Sequence, residues 1–130
     1  MVLIALRPEY QLSVDPAKNR IFYQNFGPMQ HAQTLPHYFS DWAAALAAVR
    51  PGFNMLSDMQ VVNQSNQDLI LGFQHVERLI VNRGIRILAE VHMPGLPTRS
   101  FSDDITSDKV MPVRRFLSVW EAMQFLDEPA

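Results

Sequence analysis

Apolar and polar residues alternate with a period of two near the start of the chain, and the period later lengthens to that of a helix. Tyr10, Leu12 and Val14 alternate with Gln11 and Ser13, the pattern of a half-buried strand. Asp15-Pro16-Ala17-Lys18-Asn19 is turn chemistry: proline presets φ, and Asp and Asn tolerate turn geometry. Arg20 to Phe26 resumes the apolar run with Ile21, Phe22, Tyr23 and Phe26, closing at Gly27-Pro28. The two runs predict an antiparallel hairpin. Ahead of them, the apolar Met1 to Leu6, interrupted by Arg7-Pro8, predicts a short extended edge segment or an ordered arm.

From Leu35 to Arg50 the spacing is helical. Phe39, Trp42, Ala43, Leu46 and Val49 recur at three and four residues and define one apolar stripe. The alanine-rich middle has high helix propensity, Thr34 is an N-cap candidate, and Pro51-Gly52 ends the segment. The central stretch, Phe53 to His92, reads as strand, loop, helix, strand. Phe53 to Asp58 is the first strand and Met59 to Gln64 the loop. Ser65-Asn66-Gln67-Asp68 resembles a capping box for a helix to Arg83, with Leu69, Phe73, Val76 and Ile80 as its stripe, broadened by Ile70 and Val81. Gly84 stands where a left-handed residue ends a helix. In Ile85 to His92, Ile85, Ile87, Ala89 and Val91 face one way and Leu88 the other, which suits a central parallel strand.

Met93 to Asp108 carries turn signals at Pro94-Gly95 and Pro97, with room for a short helix between Ser100 and Val113. Arg114 to Leu117 predicts a short strand. Ser118-Val119-Trp120-Glu121 is a capping box for a last helix, with Trp120, Met123 and Leu126 facing inward. The order β-β-α-β-α-β-(α)-β-α predicts an α/β fold. It is a mixed, mostly parallel sheet of about five strands with an antiparallel N-terminal hairpin, in one domain over residues 1–130.

Composition narrows the function classes. Hydrophobic residues make up 48% of the 130 positions and charged residues 18%, so an interface is compatible with the low surface charge. The balance of 11 basic against 13 acidic residues lacks the basic footprint of a nucleic-acid binder. The absence of cysteine removes disulfides, thiol catalysis and thiolate metal sites, and fits a reducing compartment. No run approaches a membrane span, so a cytoplasmic domain that is not an integral membrane protein is expected.

Three stretches carry a family resemblance. Pro51-Gly52-Phe53-Asn54-Met55-Leu56-Ser57-Asp58, Gly84-Ile85-Arg86-Ile87-Leu88-Ala89, and Phe116-Leu117-Ser118-Val119-Trp120-Glu121-Ala122-Met123-Gln124-Phe125-Leu126 resemble two strands and the C-terminal helix of one fold group. It is the STAS or anti-sigma-factor-antagonist-like (SpoIIAA-like) group, whose relatives include lipid-binding CRAL-TRIO domains. The resemblance covers nearly the whole chain and fits the uncharacterised small members best. It implies a non-enzymatic regulatory module that docks a protein through the loop after Asp58 and the following helix start. The position that lines up with that group's phosphorylatable serine is Ser65, although the surrounding Asp-Ser-Ser/Thr-Gly-like motif is absent.

The candidate partner-binding residues are therefore Asp58, Gln60, Asn63, Gln64 and Ser65. Ser65 is also a candidate phosphoacceptor, beside its simpler role as a helix cap. Asp58 ends a strand on the edge where open α/β sheets place ligands. As a loop carboxylate it serves equally to accept local hydrogen bonds. Glu90 and His92 share one strand face and form a candidate acid/base pair, against the simpler reading of an exposed strand end. His31, His37, His75 and His92 show no metal-ligand spacing, and no phosphate-binding or nucleophile-elbow motif occurs, so no cofactor or metal is expected. The aromatic and methionine bulk reads as core. It also suits an apolar small-molecule pocket, as in a lipid carrier, or a homodimer face.

Overall fold

The computed structural model describes residues 1–26, 36–58, 67–92 (for 67–73 the helical backbone alone) and 112–128. Within them the chain runs β1 (Val2–Leu6), β2 (Tyr10–Asp15), β3 (Arg20–Asn25), α1 (Tyr38–Ala47), β4 (Asn54–Asp58), α2 (Gln67–Arg83), β5 (Ile87–Val91), β6 (Val113–Phe116) and α3 (Val119–Asp127). The strands form one six-stranded sheet in chain order. β1, β2 and β3 are antiparallel neighbours, and β3 to β6 are parallel. This is the expected mixed α/β class. The added strand is the N-terminal segment, which pairs as β1 from Val2↔Val14 to Leu6↔Gln11 with a register shift between Leu3 and Ala5.

Each parallel step moves the same way across the sheet, so right-handed crossovers put α1 and α2 on one face. α3, which follows the last strand, lies on the other face against β4, β5 and β6. The helix-side core joins Leu12, Val14 and Ile21 of the hairpin to Met55 and Leu88, beneath Trp42, Leu46, Val76 and Ile80. Trp42 is fully buried, and truncating a side chain of that size typically costs about 3–5 kcal/mol. The second core is smaller: Ala122 and Leu126 press on Leu56, Ala89 and Val91.

Turn chemistry fixes the register at the base of the sheet. Asp15 Oδ1 accepts from the Ala17 and Lys18 amides at 3.1 and 3.3 Å, the local hydrogen bonding that makes Asp a turn former. Asn19 takes a left-handed φ of 52°. Its amide side chain clasps the Arg50 backbone, donating to the carbonyl at 3.1 Å and accepting from the N–H at 2.9 Å. Its own carbonyl accepts from the Asn54 amide at 3.1 Å. One turn thus sets where β4 begins beside β3.

At the other end of the hairpin, Asp41 of α1 accepts from Arg7 Nε at 3.0 Å, a second Arg7 nitrogen at 2.9 Å and the Tyr10 hydroxyl at 2.5 Å. Burial pushes the Asp41 carboxyl up, but the hydrogen bonds from Arg7 and Tyr10 outweigh it and hold the group below the usual carboxylate range.

Several expectations shift by a turn or a face. α1 begins at Tyr38 with His37 as its cap, and no side-chain hydrogen bond closes it; Thr34 lies outside the described residues. Its buried face is Tyr38, Asp41, Trp42, Ala45 and Leu46. Ala43 is therefore exposed, and Phe39 meets the His75 ring edge-on with centroids 5.2 Å apart. In α3, Ser118 Oγ accepts from the Glu121 amide at 3.1 Å as its capping box requires. Burial then falls on Ala122 and Leu126, so Trp120, two residues before Ala122 and about 200° around the helix, is 68% exposed. Ile85 precedes β5 and packs into the helix-side core, apart from Ile87. The short helix anticipated between 100 and 113 and the loop from 93 to 108 lie outside the described residues. No helix among the described residues is long and apolar enough to cross a membrane.

Candidate functional site

The pleat sends alternate side chains to opposite faces, so the pairing register sorts every strand residue into a transverse row. On the face that α3 half covers, one row runs Leu6, Gln11, Gln24, Asp58, Val91, Phe116. Val91 and Phe116 lie in the α3 core, whereas Leu6 is 61% exposed. Between them stands a polar ladder of two amides and a carboxylate, Gln11–Gln24–Asp58, on three adjacent strands. The next row toward the base is Leu3, Ser13, Phe22, Leu56, Ala89, Arg114. Leu3 is 55% exposed, and the Ser13 hydroxyl meets the Met1 sulfur at 3.5 Å.

These two rows floor an open groove of about 210 Å³, lined among others by Met1, Phe22, Gln24, Leu56, Asp58 and Val119. The cause is topological. α3 is nine residues long and lies mainly on β4 to β6, reaching only Arg20 and Phe22 of β3, so β1 and β2 have no described helix laid across this face. Val119 at the start of α3 forms one wall, and its sequence neighbours Leu117 and Trp120 are exposed.

The opposite face carries a different row at the same level: Leu12, Tyr23, Ser57, Glu90, Arg115. One step deeper the row is Val14, Ile21, Met55, Leu88, Val113, wholly apolar. Polarity on the helix-covered face is therefore concentrated toward the C-terminal ends of the parallel strands. Tyr23 donates to Asn25 Oδ1 at 2.7 Å. Burial pushes the Tyr23 and Tyr38 hydroxyls well above the usual tyrosine range, so both stay neutral. Ser57 Oγ is buried and makes no hydrogen bond.

Glu90 is fully buried, a correction to its reading as an exposed strand end. β5 is central, with neighbours on both sides and helices over both faces, so even its polar residue near the end is covered. Its carboxylate lies 3.4 Å from His92 Nε2 and 3.7 Å from Arg115 Nε, both long for hydrogen bonds.

Of the candidate partner-binding residues, Asp58 is in place at the end of β4, facing the groove. Gln60, Asn63, Gln64 and Ser65 lie outside the described residues. Glu90 and His92 are brought together, but Asp58 pairs in register with Val91 and so faces away from Glu90. The three do not form one constellation. Among the described residues, no group of three or more His, Asp or Glu side chains is arranged to hold a metal ion. Gln11 and Gln24 escape a reading of the sequence because polar residues in an alternating strand pass as ordinary solvent-facing positions, and Phe22 because it belongs to the apolar run from Arg20 to Phe26. The signal that could have found them is the uncharged Met1 to Leu6 run that precedes the hairpin. Comparison with protein-family models, curated proteins and solved structures finds no match to this chain.

Proposed function

We propose that the protein acts by binding, as a non-enzymatic interaction module of the STAS-like type. It docks a protein partner at the C-terminal end of β4, on the half of the sheet that α3 leaves open. The observation that carries this reading is the Gln11–Gln24–Asp58 ladder bordered by exposed or half-buried apolar side chains, Leu6 at one end and Phe22 and Val119 alongside. Hydrogen-bonding groups set among apolar ones are the make-up of a recognition surface, where the polar groups fix orientation and the apolar ones supply burial.

The partner this surface suits presents a cationic or amide side chain toward Asp58, with apolar residues on either side. Electrostatic complementarity of that kind sets register and encounter rate. The resemblance to STAS-like modules supports the same location, because it puts docking in the loop that leaves Asp58, where Gln60, Asn63, Gln64 and Ser65 reside.

A photo-crosslinking residue at Gln24, in the full chain expressed in its native cells, tests the reading. One recurrent protein adduct is expected, and it should be lost when Asp58→Lys is added. Adducts that form equally from a photo-crosslinker at Arg50, at the far end of the sheet, would overturn it.

A further inference from the structure

The two edges of the sheet are built differently. β6 is four residues long, is preceded by Pro112, and carries Arg114 and Arg115, with the Arg114 guanidinium 5.1 Å from the Phe125 ring centroid. Short length, charge and proline are the devices that keep a sheet edge from pairing with another chain. β1 lacks them. Its sequence, VLIAL, has no charge, proline or glycine, and Val2, Leu3 and Leu6 are half exposed or more. Among the described residues β1 pairs on one side only, with β2, so the main-chain donors and acceptors on its other side have no described strand beside them.

We infer that β1 is a self-association edge, and that its occupant is β1 of a second copy of this chain, paired antiparallel about a two-fold axis. The charge pattern singles out that occupant. Self-pairing sets an uncharged strand against an uncharged strand, and the cationic side chain that follows the strand, Arg7, is already held by Asp41. An isologous contact also needs one self-complementary patch and no second partner surface.

The two-fold axis of an antiparallel strand pair stands normal to the sheet, so the uncovered hairpin halves of both copies fall on the same side. Leu3 and Leu6 of one copy then approach those of its partner on that side, and the two open grooves adjoin. The register shift at Leu3/Ala5 increases local twist and limits the seam to a few main-chain hydrogen bonds. A five-residue seam with its flanking leucines sits at the small end of specific interfaces, on the order of 1,000 Å² in total. The dimer is accordingly concentration-dependent. This inference stands whether or not a different protein occupies the groove.

Sedimentation of the full chain from low micromolar to near-millimolar concentration provides the test, with two double variants, Leu3→Lys/Leu6→Lys and Leu3→Glu/Leu6→Glu. The wild-type protein is expected to shift from one chain to two across the range. Each double variant should stay monomeric with an unchanged melting temperature, and an equal mixture of the two should regain dimer, which misfolded variants could not do. In the wild-type protein, exchange of the β1 amides should slow as concentration rises. A wild-type protein monomeric throughout, a lysine variant that dimerises like wild type, or a mixture that fails to associate would overturn the inference. So would loss of the dimer in Asp58→Lys, because that outcome would assign the contact to the groove.

Discussion

Arg20 and Asp127 meet at 2.9 Å and fasten the end of α3 to the start of β3. Arg20 is 2% exposed, and its Nε also donates to Asn54 Oδ1 at 2.6 Å, so its guanidinium lies between the sheet and the helix. Lys18 reaches the same Asp127 oxygen at 3.1 Å. This clamp, together with Ala122 and Leu126, holds α3 across β4–β6 with its end over the start of β3, and leaves the β1–β2 side of the face open. Replacing Asp127 by Asn leaves a buried cation without its counter-charge, which is the costly way to break such a pair. We expect Asp127→Asn to speed amide exchange throughout residues 119–127 while leaving α1 and α2 protected. Equal acceleration in all three helices would show that the clamp acts on the whole fold.

Asp41 and Asp127 give the protein a predictable acid limb. Asp41 is held low by its hydrogen bonds from Arg7 and Tyr10 against the opposing effect of burial, and Asp127 is held low by hydrogen bonds from Lys18 and Arg20. A carboxyl whose folded pKa lies below its unfolded value of about 3.9 stabilises the fold above that value, and the contribution is lost as pH falls through the lowered folded one. The denaturant midpoint, as far as these two groups set it, should hold steady from neutrality to about pH 5 and fall below about pH 4. Tyr10→Phe removes the 2.5 Å bond to Asp41. It should cost about 1.5 kcal/mol at neutral pH and move the onset of acid unfolding upward.

Ser57 leads to an expectation of the opposite sign. Its hydroxyl is buried without a hydrogen bond, so it carries the desolvation cost of a polar group with no return. Ser57→Ala should raise stability by about 1 kcal/mol in urea denaturation. A loss of stability would mean that the hydroxyl is satisfied in solution by an ordered water.

The periodicities of this chain reveal its elements and order because each depends on local chemistry: the Asp15–Asn19 turn, the Ser118 cap, and the glycine at 84 with its φ of 99°. What they do not reveal is which residues another element covers. Trp120 reads as core because it is large and apolar, yet Ala122 and Leu126 take the inward positions. Glu90 reads as a solvent-facing end because it is charged, yet β5 is covered on both sides. The site divides along the same line. Asp58 is legible from its place at a strand end. Gln11 and Gln24 become a site only once the sheet is assembled in register and the reach of α3 is known.

We propose that the open face around Asp58 binds a partner. The decisive experiment is a titration of the protein captured from Gln24 against purified wild type, Asp58→Lys and the distal control Arg50→Glu. Affinity at least about tenfold weaker is expected for Asp58→Lys, a loss of roughly 1.4 kcal/mol. Arg50→Glu should bind as wild type, and all three proteins should melt alike. Wild-type affinity in Asp58→Lys, or an equal loss in Arg50→Glu, would contradict it.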